Sequence, residues 1–168
     1  MVVIFTANRG CIREVEYSFS QTAYGEMLTA WTKGWLCYAT FTEYLTRATA
    51  LDELKRLFPK ATLRQTERDE DIITTRPKRL LLAGTPLRQD VWRALLTTKR
   101  GERLSYSALA SLASRPSAVR AVATGVGCNP VSVVVPCHRI VPARGGIGNY
   151  HSGAEIKRRL LEWEGALP

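Results

Sequence analysis

The feature that most constrains this fold is a change of texture near residue 85. Before it, apolar residues come in short runs broken by turns. After it, they recur at helical spacing behind capping residues. In the first part, Gly25–Trp31 and Trp35–Phe41 are apolar, partly aromatic runs joined by Thr32-Lys33-Gly34. They predict a β-hairpin with a short glycine turn. Asp52–Phe58 spaces its apolar residues as a helix does, and Pro59 stops it. Residues from about 62 to 78 are polar and charged, include Pro77, and read as a linker. In the second part, Thr85-Pro86 supplies an N-cap and a first-turn proline, and Leu87, Val91, Ala94 and Leu95 mark one helix face. Ser105 can cap a helix from Tyr106 to about Ala113, and Pro116 opens another that runs to about Gly127. Two short helices around a tight turn predict a helix-turn-helix unit. Val131–Val135 reads as a buried strand, Gly145, Gly146 and Gly148 punctuate a loop, and Ala154–Glu164 is an amphipathic helix with Ile156, Leu160, Leu161 and Trp163 inside.

The expected fold class is therefore α/β of the α+β kind, in two domains. Residues 1–78 would hold a small antiparallel sheet and a helix, and residues 79–168 a mostly helical part with the helix-turn-helix. Charge divides the chain at nearly the same place. Residues 1–84 carry 12 basic and 10 acidic side chains, and residues 85–168 carry 12 and 5, so most of the net +9 lies in the second half. A basic half suggests a polyanionic partner, nucleic acid first. No apolar run approaches the length of a membrane span. The start lacks a basic segment followed by a long apolar one, so a cytoplasmic location is expected, or a nuclear one in a eukaryote. The four cysteines, at 11, 37, 128 and 137, form no CxxC pair, and both histidines, His138 and His151, lie late in the chain. A disulfide framework and a structural zinc site are both disfavoured.

The stretch richest in chemistry is Pro136-Cys137-His138-Arg139. A thiol is a strong nucleophile only as thiolate, so a reactive cysteine needs a base or positive charge at hand. Neighbouring side chains of a strand point to opposite faces, so Cys137 and His138 can cooperate only across a backbone turn or through a bridging water. Pro136 favours such a turn. An imidazole base also needs an acceptor to orient it, and Glu164 is one of few carboxylates in this half. Alone, Cys137 would equally fit a buried apolar cysteine behind a core strand.

The surrounding residues add order to this motif. Asn129-Pro130, Pro136-Cys137-His138-Arg139, Gly148-Asn149-Tyr150 and Lys157-x-x-Leu160-Leu161-x-x-Glu164 follow at tight spacing, with Ser105-Tyr106 and Ala118-Val119-Arg120-Ala121-Val122 upstream. Over about residues 80–165 the chain resembles the O6-alkylguanine-DNA alkyltransferases (methylated-DNA–protein-cysteine methyltransferases). The resemblance implies a single-turnover transfer of an alkyl group from guanine O6, and from thymine O4, to Cys137. His138 would act as a base through water, Glu164 would orient His138, and Tyr150 would stabilise the departing guanine. Asn129 would brace the turn before the site. Tyr106, Arg120, Ala118, Ala121 and Ala123 would meet DNA, Arg120 filling the space of a flipped nucleotide. Ile140, Gly148, His151 and Ser152 would line the pocket. Arg139 would have a lesser structural or electrostatic part. Ser132 and His151 depart from residues found in other members, which bears on pocket size rather than on the reaction. The resemblance implies no cofactor and no metal, and as partner double-stranded DNA with an alkylated base, bound by a monomer away from any membrane. The alternative is a non-catalytic module that binds alkylated bases and would have no need of Cys137, His138 and Glu164. A cysteine hydrolase has only the Cys-His pair in its favour.

Overall fold

In a computed structural model, residues 1–167 are described. They form two compact units: residues 1–85 with 130–134, and the remainder. The first unit is a six-stranded sheet with one helix. Its strands are β1 (Val2–Thr6), β2 (Glu14–Thr22), β3 (Gly25–Thr32), β4 (Trp35–Phe41), β5 (Thr62–Gln65) and β6 (Arg79–Ala83), in the order β1-β6-β4-β3-β2-β5. The predicted hairpin is β3–β4. Lys33 and Gly34 both have positive φ (49° and 77°), the two-residue turn whose twist suits paired strands. The sheet is not the small antiparallel one expected. β1 runs parallel to β6, β6 to β4, and β5 to β2. β5 lies inside the stretch read as a linker, and β6 contributes residues 79–83 to this sheet. Both join strands far away in sequence, a pairing that no local turn signal announces.

Helix α1 (Arg47–Leu57) starts earlier than its apolar spacing suggests, because Thr46 caps it by accepting from the Thr49 amide. Ala50, Leu54 and the following Phe58 pack with Val15, Leu28, Ala30, Cys37 and Tyr38 into the core. Fully burying such a leucine or phenylalanine stabilises by about 1.5–3 kcal/mol.

Residues 130–134 correct a sequence expectation. Val131–Val135 is buried throughout but forms no strand. Only Val131 makes a bridge, to Ala39 of β4, and Val133 has φ of 71°, left-handed backbone that a β-branched residue rarely takes. Prolines at 130 and 136 remove two amide donors from the segment. The Val134 amide then folds back to the Ser132 carbonyl, and the Cys137 amide to that of Val135.

The second unit holds α2 (Pro86–Thr97), β7 (Leu104–Ser105), α3 (Tyr106–Leu112), α4 (Val119–Gly127), β8 (Ile140–Val141) and α5 (Ala154–Glu164). Helices α2, α3 and α4 pack on one another. Trp92 in α2 donates from its indole to the Gly125 carbonyl in α4 at 3.0 Å. Ser105 caps α3 as predicted, accepting from the Ala108 amide. Helix α4 begins at Val119 rather than Pro116, after a turn in which Ser114 takes positive φ. β7 pairs parallel with β8. Gly165 ends α5 in a left-handed cap immediately after Glu164. Among the described residues, no helix is long and apolar enough to cross a membrane.

Candidate active site

The chain turns at Pro136, as its sequence predicts, and Cys137–Arg139 forms one turn of 3-10 helix. All three residues are buried, and His138 is fully so. The turn faces α5, whose residues 157, 160, 161 and 164 share a stripe by helical spacing.

Cys137 is held from the side by Asn129, which follows α4. The Asn129 amide donates to Cys137 Sγ at 2.9 Å and to the Val135 carbonyl at 2.7 Å. Asn129 thus ties the cysteine turn to the end of α4. The Cys137 thiol also reaches the Tyr150 hydroxyl at 4.0 Å. Burial pushes the thiol up; the Asn129 amide, the Tyr150 hydroxyl and the charge of Lys157 pull the other way.

His138 and Glu164 do meet. His138 Nε2 lies 3.1 Å from Glu164 Oε1, both side chains being buried. The approach is a close contact rather than an aligned hydrogen bond, and neither imidazole nitrogen has an aligned partner. Burial lowers the His138 pKa, Glu164 raises it, and Arg139 and Lys157 lower it further. The net direction leaves the imidazole neutral, and so able to accept a proton.

Arg139 has a larger part than its sequence suggests. Its guanidinium grips both Glu164 oxygens, Nε to Oε2 at 2.8 Å and Nη2 to Oε1 at 2.7 Å. Nη1 donates to the Thr98 carbonyl and hydroxyl at 2.6 and 3.0 Å, tying the turn to the end of α2. Burial alone would raise the Glu164 pKa, but His138 and Arg139 outweigh it and hold the carboxyl at about 2. Glu164 therefore serves both His138 and Arg139, and Arg139 makes the aligned contacts.

Sequence reasoning missed Lys157. Its side chain is almost wholly buried, and Nζ donates to the Ile140 carbonyl at 2.6 Å and the Asn149 carbonyl at 3.4 Å. The signal was there: Lys157 stands seven residues before Glu164, two helical turns along the same stripe.

Of the pocket residues expected, Ile140 and Ser152 are buried, Gly148 is half-buried and His151 is exposed. Gly148 has φ of 70°, and a Cβ there would stand 2.8 Å from the Pro142 ring, so only glycine fits. On the helix pair, Arg120 and Ala121 are exposed, while Ala118, Ala123 and Tyr106 are half-buried. Val122, Gly125 and Val126 face inward, so the small residues and Arg120 form the outer side of α4.

Residues 86–166 match the family described as 6-O-methylguanine DNA methyltransferase, DNA binding domain. Over 83 residues the chain is 46% identical to the methylated-DNA–protein-cysteine methyltransferase of Mycobacterium bovis, which covers 49% of this chain and 50% of that protein. It is 32% identical over 162 residues to the bifunctional transcriptional activator/DNA repair enzyme Ada of Escherichia coli, covering 89% of this chain and 45% of Ada. The chain thus spans about half the length of the curated relatives it matches. The crystal structure of Mycobacterium tuberculosis OGT in complex with DNA superposes with a TM-score of 0.66 at 32% identity, covering 89% of this chain and 92% of that one. With this likeness along nearly the whole of a solved structure, and with the cysteine turn, its histidine and its glutamate joined in space, the chain belongs to the 6-O-methylguanine DNA methyltransferase family.

Proposed function

We propose that this protein repairs DNA by direct reversal, transferring the alkyl group of O6-alkylguanine, and of O4-alkylthymine, to its own Cys137. The observation that carries this reading is the buried Cys137 sulfur, held by Asn129 and set on a turn whose next residue contacts Glu164. His138 takes the thiol proton through a water molecule. The sulfur forms a bond to the alkyl carbon while the carbon–O6 bond breaks, and the guanine leaves as its electron pair is drawn back into the ring. A phenol hydrogen bond from Tyr150 favours that developing negative charge. No cofactor is called for, because the electrophile is part of the substrate. The thioether has no easy leaving path, so each chain acts once.

The alkylated base sits inside the duplex and must be flipped out, at a cost of a few kcal/mol. The exposed side of α4 meets DNA, with Arg120 entering the stack and Ala118, Ala121 and Ala123 allowing close approach. Tyr106 at the start of α3 crowds the adjacent backbone. The protein binds duplex DNA as a monomer, with little sequence preference.

The test is an intact mass and a peptide map after mixing with a duplex carrying one O6-methylguanine. The expected result is one added methylene on the peptide containing Cys137, saturating at one per chain. Binding of the lesion duplex without any mass gain would replace this reading with the lesion-binding one.

A further inference from the structure

Lys157 stands out among the buried groups. Among the described residues, no carboxylate pairs with it. Its ammonium is satisfied only by carbonyl oxygens, those of Ile140 and Asn149. Burying an ammonium without an anion is costly. A methionine or leucine on the same stripe, beside Leu160 and Leu161, would pack without that cost. The two carbonyls have meaning for the site. Ile140 is the first residue of β8, directly after the Cys137–Arg139 turn, and Asn149 immediately precedes Tyr150. The Nζ atom also stands 3.9 Å from where a Cβ on Gly148 would lie, at the tightest point of the loop from Pro142.

Resting on the alkyl-transfer reading, we propose that Lys157 is a positioning residue with two effects. Its ammonium clips the end of the cysteine turn to the loop that presents Tyr150, and it supplies the fixed positive charge that favours the Cys137 thiolate. The titratable groups around it fit this assignment. Its charge acts on Cys137 and on His138, favouring thiolate at the first and disfavouring imidazolium at the second. Glu164, which could have neutralised it, is gripped instead by Arg139. Tyr106 and Tyr150 are the other ionisable groups near the sulfur, and burial, then the Cys137 charge, raise the Tyr106 phenol. Burial lowers the Lys157 pKa to about 8, while the Cys137 thiolate raises it. The two charges therefore support each other.

The experiment pairs a thiol readout without DNA and a transfer readout with it. Cys137 alkylation by iodoacetamide is followed against pH, by peptide mapping, in wild type and Lys157→Met. Single-turnover transfer from an O6-methylguanine duplex is followed in the same proteins. The expected result for Lys157→Met is a thiol profile moved up by about one pH unit and a transfer rate about tenfold lower. A thiol profile within a few tenths of a unit of wild type overturns the proposal, whatever happens to transfer. If Lys157→Met fails to fold, wild type labelled at lysine Cε answers the question by NMR. One lysine should titrate well below the others, and its midpoint should fall after iodomethane methylates Cys137. An unmoved midpoint overturns the proposal. Absence of transfer by wild type would overturn the alkyl-transfer reading instead, and the iodoacetamide profile would still test the charge effect.

Discussion

The surroundings of Cys37 and Cys137 differ far more than their burial. Both side chains are closed off from solvent. Cys37 lies in β4 within an apolar core, and its thiol donates to the Ala30 carbonyl at 3.3 Å. Burial raises its pKa far beyond the working range. Burial raises the Cys137 thiol as well, and an amide, a phenol and a buried lysine oppose that rise without cancelling it. The contrast extends to the two units. In the sheet unit, charges pair at the surface, as in Arg47–Glu26 and Arg64–Glu16. In the other unit, His138, Arg139, Lys157 and Glu164 are drawn inside. Burial by itself silences a thiol; the groups around Cys137 work against that silencing, and those around Cys37 do so less.

The comparison can be broken most sharply at the two cysteines. Cys137→Ser should abolish alkyl transfer from lesion DNA while leaving duplex binding intact, whereas Cys37→Ala should transfer at full stoichiometry. Mass spectrometry checks both, and any adduct on Cys37 in wild type would erase the distinction.

The next effect concerns charge burial. Glu164→Gln leaves the Arg139 guanidinium buried without its carboxylate and should cost about 3–5 kcal/mol in denaturant unfolding. Glu16→Gln, which breaks the exposed pair with Arg64, should leave the unfolding midpoint nearly unchanged. Similar losses in the two variants would mean that the buried cluster is no more than a surface ion pair in effect.

Acid sharpens the same point. The Glu164 carboxyl titrates at about 2 in the folded state against an ordinary 4.5, so its pKa is depressed. Its contribution to stability is complete above 4.5 and is lost as pH falls toward 2. The stability gap between wild type and Glu164→Gln should therefore narrow across that window in urea titrations. A constant gap from pH 5 to pH 2 would show that Glu164 is not held ionised.

The smallest effect on stability belongs to α4. Arg120 is exposed, so Arg120→Ala should change stability by no more than about 0.5 kcal/mol. Transfer from duplex DNA should nevertheless slow about tenfold, equivalent to about 1.4 kcal/mol, with transfer from the free alkylated base unaffected. Equal loss with both substrates would place Arg120 in the chemistry rather than in base flipping.

Local signals determined much of this protein. Ser105 announced α3, the bounds Ala154–Glu164 of α5 could be read residue by residue, and Lys33-Gly34 announced the β3–β4 turn. Caps, turns and helical stripes depend on residues within about four positions of one another, so sequence displays them. Cys137, His138 and Glu164 were legible through their order in a motif, and Lys157 lay in the same stripe of α5, unread. Only tertiary structure decided the rest. The pairing of Val2–Thr6 with Arg79–Ala83 joins residues more than seventy positions apart, and Val131–Val135 is buried without becoming a strand. Whether a charge can be buried depends on which partners arrive from elsewhere in the chain. Arg139 meets Thr98 and Glu164 only because the end of α2, the cysteine turn and the last turn of α5 converge. That convergence makes Glu164 a shared partner of Arg139 and His138, and no spacing along the chain could state it.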